Sequence, residues 1–278
     1  MLLYLFLAIY FFILITVFIY ASHRYYMVYL YYKHQKDKPA PAGKLERLPR
    51  VTIQLPVFNE MYVVKRLISA SCNIDYPKEL VDIQVLDDST DETAVITQEC
   101  VNDFKKQGFD INYIHRDNRV GFKAGALAEG LKIAKGEYIA VFDADFVPGR
   151  DVLKNTLNFF SDKSVGMVQT RWTYLNSKYS LLTRIQAIML DGHFVIEHAA
   201  RNWSGRFFNF NGTAGIWRKE AIETAGGWQN DTLTEDLDLS YRAQLKGWKF
   251  VFLKDETSPS EIPVDINGFK TQQYRWAK

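Results

Sequence analysis

Residues 2–21 form an unbroken apolar run, LLYLFLAIYFFILITVFIYA, with no charged side chain. Twenty helical residues rise about 30 Å, the thickness of a bilayer's hydrocarbon core, so the run predicts a membrane-spanning helix. A secretory leader would carry a basic segment ahead of a shorter apolar run, and nothing basic precedes Leu2. The pattern changes after residue 50. Short apolar runs at 51–55, 81–86, 111–115, 138–142 and 166–170 read as strands, and residues 60–72, 92–106, 122–134 and 150–160 read as helices. That alternation predicts an α/β domain with a mainly parallel sheet. Such sheets bind ligands at the carboxyl ends of their strands, so the residues just after each strand matter most.

Charge divides the chain further. Arg24, Lys33, Lys36, Lys38, Lys44, Arg47 and Arg50 follow the apolar run against only Asp37 and Glu46. Basic flanks stay on the cytoplasmic side, which predicts a cytoplasmic globular domain. Tyr25, Tyr26, Tyr29, Tyr31 and Tyr32 suit an interfacial aromatic belt, and KPAPAG at 38–43 reads as a linker. The expected divisions are a membrane helix at 1–22, a basic aromatic segment at 23–50 and a globular domain at 51–278. A net charge of +2 and 24% charged residues argue against disorder and against a nucleic-acid partner. Two cysteines exclude a disulfide scaffold and a CxxC zinc site. Neither GxGxxG nor a Walker A sequence is present.

Carboxylates crowd the predicted strand ends. The first strand runs into Pro56-Val-Phe-Asn59-Glu60, the second into Asp87-Asp88-Ser89 and the fourth into Asp143-Ala144-Asp145. Residues i and i+2 of an extended chain face the same way, so Asp143 and Asp145 would repel unless a cation lay between them. Hard oxygen ligands suit Mg2+ or Mn2+, which also bind phosphate oxygens. Helix capping explains the same acids equally well. Thr232 and Glu235 fit a capping box, and Asp236 and Asp238 would favour the positive end of that helix. A carboxylate there could also serve as a general base. Gln272, Arg275 and Trp276 are spaced to share a helix face, offering a fork for a diphosphate and a flat surface for a sugar; an amphipathic helix with Phe269 and Trp276 in the core fits the same pattern. His193 and His198, five apart, suggest no ligand pair, and the Asn202, Asn211 and Asn230 sequons would stay unmodified in the cytoplasm.

The ordered set Asp-Asp, Asp-x-Asp, Thr-Glu-Asp and Gln-x-x-Arg-Trp resembles the processive family 2 glycosyltransferases. IQLPVFNE, QVLDDSTDET, RDNRVGFKAGAL, FDADFVP, FFNFNGTAGIWR, TLTEDLDLSYRAQLKGWKFVF and QQYRWAK are similar to the cellulose synthase-like, mannan-synthase-type branch. The resemblance runs from about Val51 to Lys278. It implies a GT-A fold and an inverting transfer from a nucleotide sugar, UDP-glucose or GDP-mannose, to a β-linked glycan acceptor. By matching motif, Glu60, Asp88 and Lys123 would contact the nucleoside or diphosphate. Asp143 and Asp145 would hold Mg2+ or Mn2+ and the diphosphate, and Asp236 would be the general base. Gln272, Arg275 and Trp276 would line the diphosphate and acceptor site, beside a loop at Phe210-Asn211-Gly212-Thr213. The resemblance also implies a membrane enzyme, at the inner or plasma membrane or the Golgi, that continues past QxxRW into further membrane helices. Two other readings remain: two-metal phosphoryl transfer, and a non-catalytic, membrane-tethered subunit that binds sugar nucleotide or glycan.

Overall fold

A computed structural model describes residues 2–232 and 234–277. Its first helix, α1 (Leu2–Lys33), is long and apolar enough to cross a membrane, and its most hydropathic window is not packed against the rest of the protein. The helix continues through the tyrosine-rich stretch, where Met27 and Leu30 are buried against Ala200 and the Tyr31 ring stacks on Trp203 at 5.5 Å.

The globular part follows the alternation: β1 (Val51–Val57), α2 (Val64–Cys72), β2 (Val81–Asp87), α3 (Thr93–Lys106), β3 (Ile111–His115), α4 (Phe122–Ile133), β4 (Tyr138–Val141), α5 (Val152–Leu157) and β5 (Val165–Tyr174). A helical stretch comes next, α6 (Leu181–Asp191), a π-helical segment (Gly192–His198) and α7 (Ala199–Trp203). The chain closes with β6 (Gly215–Arg218), α8 (Lys219–Thr224), α9 (Glu235–Leu245), β7 (Lys249–Ser260) and α10 (Ile266–Ala277). One seven-stranded sheet has the order β3-β2-β1-β4-β6-β5-β7. Only β6 runs antiparallel to its neighbours, so the mainly parallel α/β reading holds.

Alternation along the strands sends side chains to both faces. Tyr138, Ala140 and Phe142 join the core that covers one face with Val51, Ile53 and Leu55, while Ile139 and Val141 join the other with Trp217 and Phe252. The second face also carries polar pairs. Thr52 bonds Asp82 at 2.8 Å, and Gln54 Nε2 donates to Gln84 Oε1 at 3.0 Å, both fully buried.

Helix α4 lies over this pair, and Gly130 is where it comes closest. A methyl on Gly130 would sit 2.5 Å from Gln54 Nε2 and 2.7 Å from Gln84 Oε1. Alanine normally favours a helix over glycine by about 1 kcal/mol. Overpacking costs about 1–3 kcal/mol and would also disturb a buried hydrogen bond. Gly130→Ala is therefore expected to lower stability, and chemical denaturation of the chain in detergent checks the sign.

Candidate active site

The carboxyl end of the sheet gathers Glu60, Asp88, Lys123, Asp143, Asp145 and Asp236. After β1, Asn59 adopts φ +55, its N–H donates to Ser89 Oγ at 2.9 Å, and its side-chain oxygen accepts from the Thr90 N–H at 2.9 Å. These bonds tie the loop after β1 to the loop after β2. Asp87, at the end of β2, is fully buried and accepts from the Ser89 N–H and the Tyr113 hydroxyl. It shapes the turn and leaves Asp88 to face the site.

Asp88 is buried and takes both arms of Arg116, Nε at 2.7 Å and Nη2. The same guanidinium donates to the carbonyls of Val120 at 3.1 Å and Phe122 at 2.9 Å, fixing the loop that launches α4. Arg119 lies over the Phe58 ring, 3.3 Å from its centroid. Neither arginine stands out in the motif pattern. The available signal was electrostatic: a carboxylate buried at a strand end needs a cation.

Asp143 and Asp145 follow β4. Phe142, Ala144 and Phe146 are buried, and the two acids that alternate with them are half-buried. The chain does not remain extended as expected. It turns, with the Phe146 N–H donating to the Asp143 carbonyl at 3.0 Å, because Phe146 folds back into the core beside Trp172. The Asp143 N–H donates to Thr213 Oγ1 at 2.8 Å, and its carboxylate bonds the Lys123 ammonium.

The loop 210–213 closes the other side. Gly212 has φ +78, and a Cβ there would lie 3.2 Å from Asp236 Oδ2 and 3.4 Å from Lys123 Nζ. Glycine thus opens the space in front of Asp236. The capping box is not formed: α9 starts at Glu235, with Thr234 as N-cap and no side-chain cap bond. Glu235 is the first helical residue and cannot reach back as a third-position partner would. Asp236 accepts from the Leu237 N–H at 2.8 Å.

Crowding sets the charges. Burial and the neighbouring Glu235 push the Asp236 carboxyl up to about 6, against the pull of the Leu237 N–H and Lys123. Burial, with Asp143 and Glu60 adding to it, pushes Asp145 up to about 7. Burial disfavours the Lys123 ammonium, but Asp143, Glu235 and Asp236 outweigh it and hold its pKa above the ordinary value. Glu60 is raised by lost hydration, pulled back by Arg275, and pushed up again by Asp143 and Asp91. Arg275 also acts on Arg119, so α10 brings its arginine to the Glu60 side of the site. Gln272 is half-buried on that helix, and Trp276 is 46% exposed. The start of α10 is fastened by Asn176, which bonds both backbone groups of Ile262 at 2.7 and 3.1 Å, and by the Arg66–Glu261 ion pair.

The donor set fits a hard divalent cation. Burial first, and the neighbouring Asp143 second, disfavour the ionised Asp145 carboxylate, and a cation bound there would favour it again. No group of three or more His, Cys, Asp or Glu side chains is placed to hold a metal among the described residues. Two carboxylates with the remaining positions left to phosphate and water is the usual Mg2+ arrangement.

The family model described as "Glycosyltransferase like family 2" matches residues 49–278. The chain belongs to this family. It is 44% identical over 247 residues to the probable glucomannan 4-beta-mannosyltransferase 9 of Oryza sativa subsp. japonica, covering 87% of this chain and 47% of that protein. It is 46% identical over 235 residues to glucomannan 4-beta-mannosyltransferase 2 of Arabidopsis thaliana, covering 82% and 44%. This glycosyltransferase-family chain thus spans about half the length of the curated relatives it matches. In fold it resembles the mannosyltransferase PcManGT from Pyrobaculum calidifontis, solved in complex with GDP-Man and Mn2+, with a TM-score of 0.72, 22% identity and coverage of 92% and 70%. TarS 1-349 of S. aureus with UDP-GlcNAc is similar at a TM-score of 0.58 and 15% identity, covering 79% and 60%. These neighbours establish the GT-A type of fold.

The raised Asp236 carboxyl has a consequence for stability. Its folded-state pKa of about 6 exceeds the ordinary aspartate value of 3.8, so the folded protein binds this proton more tightly than the unfolded chain. That contribution is complete below about pH 4 and is lost as the pH rises through about 6. Asp236→Asn should therefore stabilise the metal-free chain by roughly 1–3 kcal/mol at pH 7.5. The gain should shrink toward zero near pH 4, as followed by thermal unfolding across pH.

Proposed function

We propose that this chain transfers a mannosyl residue from GDP-mannose to a hydroxyl of a β-linked mannan or glucomannan acceptor, inverting the anomeric centre in one displacement. The observation that carries the reading is the Gly212 turn, where a Cβ would lie 3.2 Å from Asp236 Oδ2 and 3.4 Å from Lys123 Nζ, the ammonium that pairs with Asp143; burial pushes the Asp236 carboxyl there up to about 6. A carboxyl with that pKa is largely ionised at neutral pH and could take the proton of an attacking hydroxyl. Relatives named as glucomannan mannosyltransferases, and a fold neighbour bound to GDP-Man and Mn2+, favour this donor over UDP-glucose.

In this reading Asp88, with Arg116, and Glu60 bound the nucleoside side. Lys123 and Arg275 face the diphosphate, and Gln272 and Trp276 line the approach of the acceptor. Asp143 and Asp145 would hold Mg2+ or Mn2+, whose charge would offset that developing on the leaving GDP. Asp236 takes the proton of the acceptor hydroxyl, so no covalent sugar–enzyme intermediate is needed. Helix α1 anchors the domain to a membrane, and the basic residues after it favour a cytoplasmic catalytic face.

The test supplies GDP-mannose or UDP-glucose with Mn2+ to the chain in lipid nanodiscs, with a mannan oligosaccharide as acceptor. GDP-mannose is expected to give GDP and an extended oligosaccharide. Asp236→Asn should retain GDP binding and lose transfer by about 10²–10⁴-fold, the reach of general base catalysis. Asp145→Ala should lose the Mn2+-dependent part of GDP binding, read by calorimetry. Extension from UDP-glucose alone would reassign the donor, and near-normal turnover by Asp236→Asn would remove the base.

A further inference from the structure

The π-helical segment (Gly192–His198) between α6 and α7 carries a polar cluster that the proposed chemistry leaves unused. His198 is fully buried, with its ring against Phe194, Phe208 and Phe252 at 5.3–5.4 Å between centroids. Its Nε2 lies 2.8 Å from Asn211 Nδ2 and 3.2 Å from the Asn209 carbonyl. His193 approaches the other end of the same amide, with Nε2 3.3 Å from Asn211 Oδ1. Its second nitrogen faces Glu197 Oε2 at 3.4 Å. Glu197 is itself held by Arg201 at 3.0 Å and lies 3.6 Å from Arg24 of α1. The Asn211 N–H donates to Gln169 Oε1 at 3.2 Å.

Asn211 is thus gripped by its side-chain amide and its backbone N–H. The next residue is Gly212, whose left-handed turn faces the Asp236 carboxylate. One peptide unit separates the cluster from the space in front of the base. Its construction is costly: the hydrogen-bonded His198 imidazole sits in an aromatic core, and the segment takes the rare π-helical form. Apolar residues would fill the same volume more simply. What the polar groups add is a defined orientation of the Asn211 amide.

We propose that His193 is a positioning residue for the acceptor. With His198 it fixes the Asn211 amide, and so the Gly212 turn against which the acceptor sugar is seated before Asp236. The proposal rests on the transferase reading. It separates two fates of the donor: transfer to a sugar needs the seated acceptor, whereas hydrolysis by water does not. Misplacing a reactant by about 1 Å can cost up to about 10²-fold in rate.

The experiment compares wild type with His193→Phe, which keeps an aromatic ring beside Phe194 and removes both hydrogen bonds. The chain is held in nanodiscs with GDP-mannose, Mn2+ and a mannan oligosaccharide. Transfer should fall about tenfold or more, while GDP affinity and GDP release without acceptor stay within about twofold. His193→Gln, which can again donate to Asn211 Oδ1, should recover part of the transfer. In a double-mutant cycle, His193→Phe should add little to the transfer loss of Asn211→Ala, because both act through one amide. Transfer and hydrolysis falling together, unchanged transfer, or additive losses would each overturn the positioning role. A wild-type chain that binds GDP but releases none from GDP-mannose would overturn the transferase reading, and this proposal with it.

Discussion

The ammonium of Lys123 sits among the carboxylates of Asp143, Glu235 and Asp236, and the rest of the site is arranged around that balance. Three like charges this close would separate if they were not held, and each is held by the end of an element. Asp143 follows β4, Lys123 opens α4, and Glu235 and Asp236 open α9. A parallel sheet brings strand ends and helix starts to one edge, where helix dipoles also favour anions. The antiparallel β6 completes the set. Pairing Val141 with Gly215 returns the loop 210–213 to the end of β4, so Thr213 meets Asp143 and Gly212 meets Asp236.

Polar groups elsewhere serve as connectors. Asn202 donates to the Phe250 carbonyl at 2.7 Å and accepts from the Phe252 N–H at 3.0 Å, clipping α7 to β7. Asn211 is bonded on several sides. Two of the three sequon asparagines are therefore structural, and a glycan on either would first have to break these bonds.

The first half of the sheet was legible because its strands are short apolar runs between punctuating turns. The expected strand at 111–115 matches β3 residue for residue, and the others differ mainly at their ends. The pattern assigns no strand after residue 170. Four-residue β6 is too short to show a period, and the second half of β7, Lys-Asp-Glu-Thr-Ser-Pro-Ser, is polar because its side chains pair with other elements, Lys254 with Tyr31, Asp255 with Lys38 and Glu256 with Asn155. The acids at strand ends were legible as types. Their partners were not: Arg116 meets Asp88 only through the fold, and the Glu235 cap failed because the helix begins at that residue. A π segment leaves no periodic signature, so the link from His193 to Asn211 appears only in three dimensions.

The strand order also dictates an order of assembly. Strands β1 to β4 pair among themselves and can close by residue 141, whereas β5 reaches the sheet only through β6, which is synthesised later. Domains fold as they emerge, and non-local parallel pairings such as β5 with β7 come slowly. Asp88, Asp143 and Asp145 can thus be in place well before Asp236 arrives. Until Gly215–Arg218 docks, Tyr138–Val141 is an open, wholly apolar strand edge, a template for pairing with another copy of the chain. Four residues of β6 therefore act as a seal against self-association, and the interval before they dock is when a nascent chain is most exposed to aggregation.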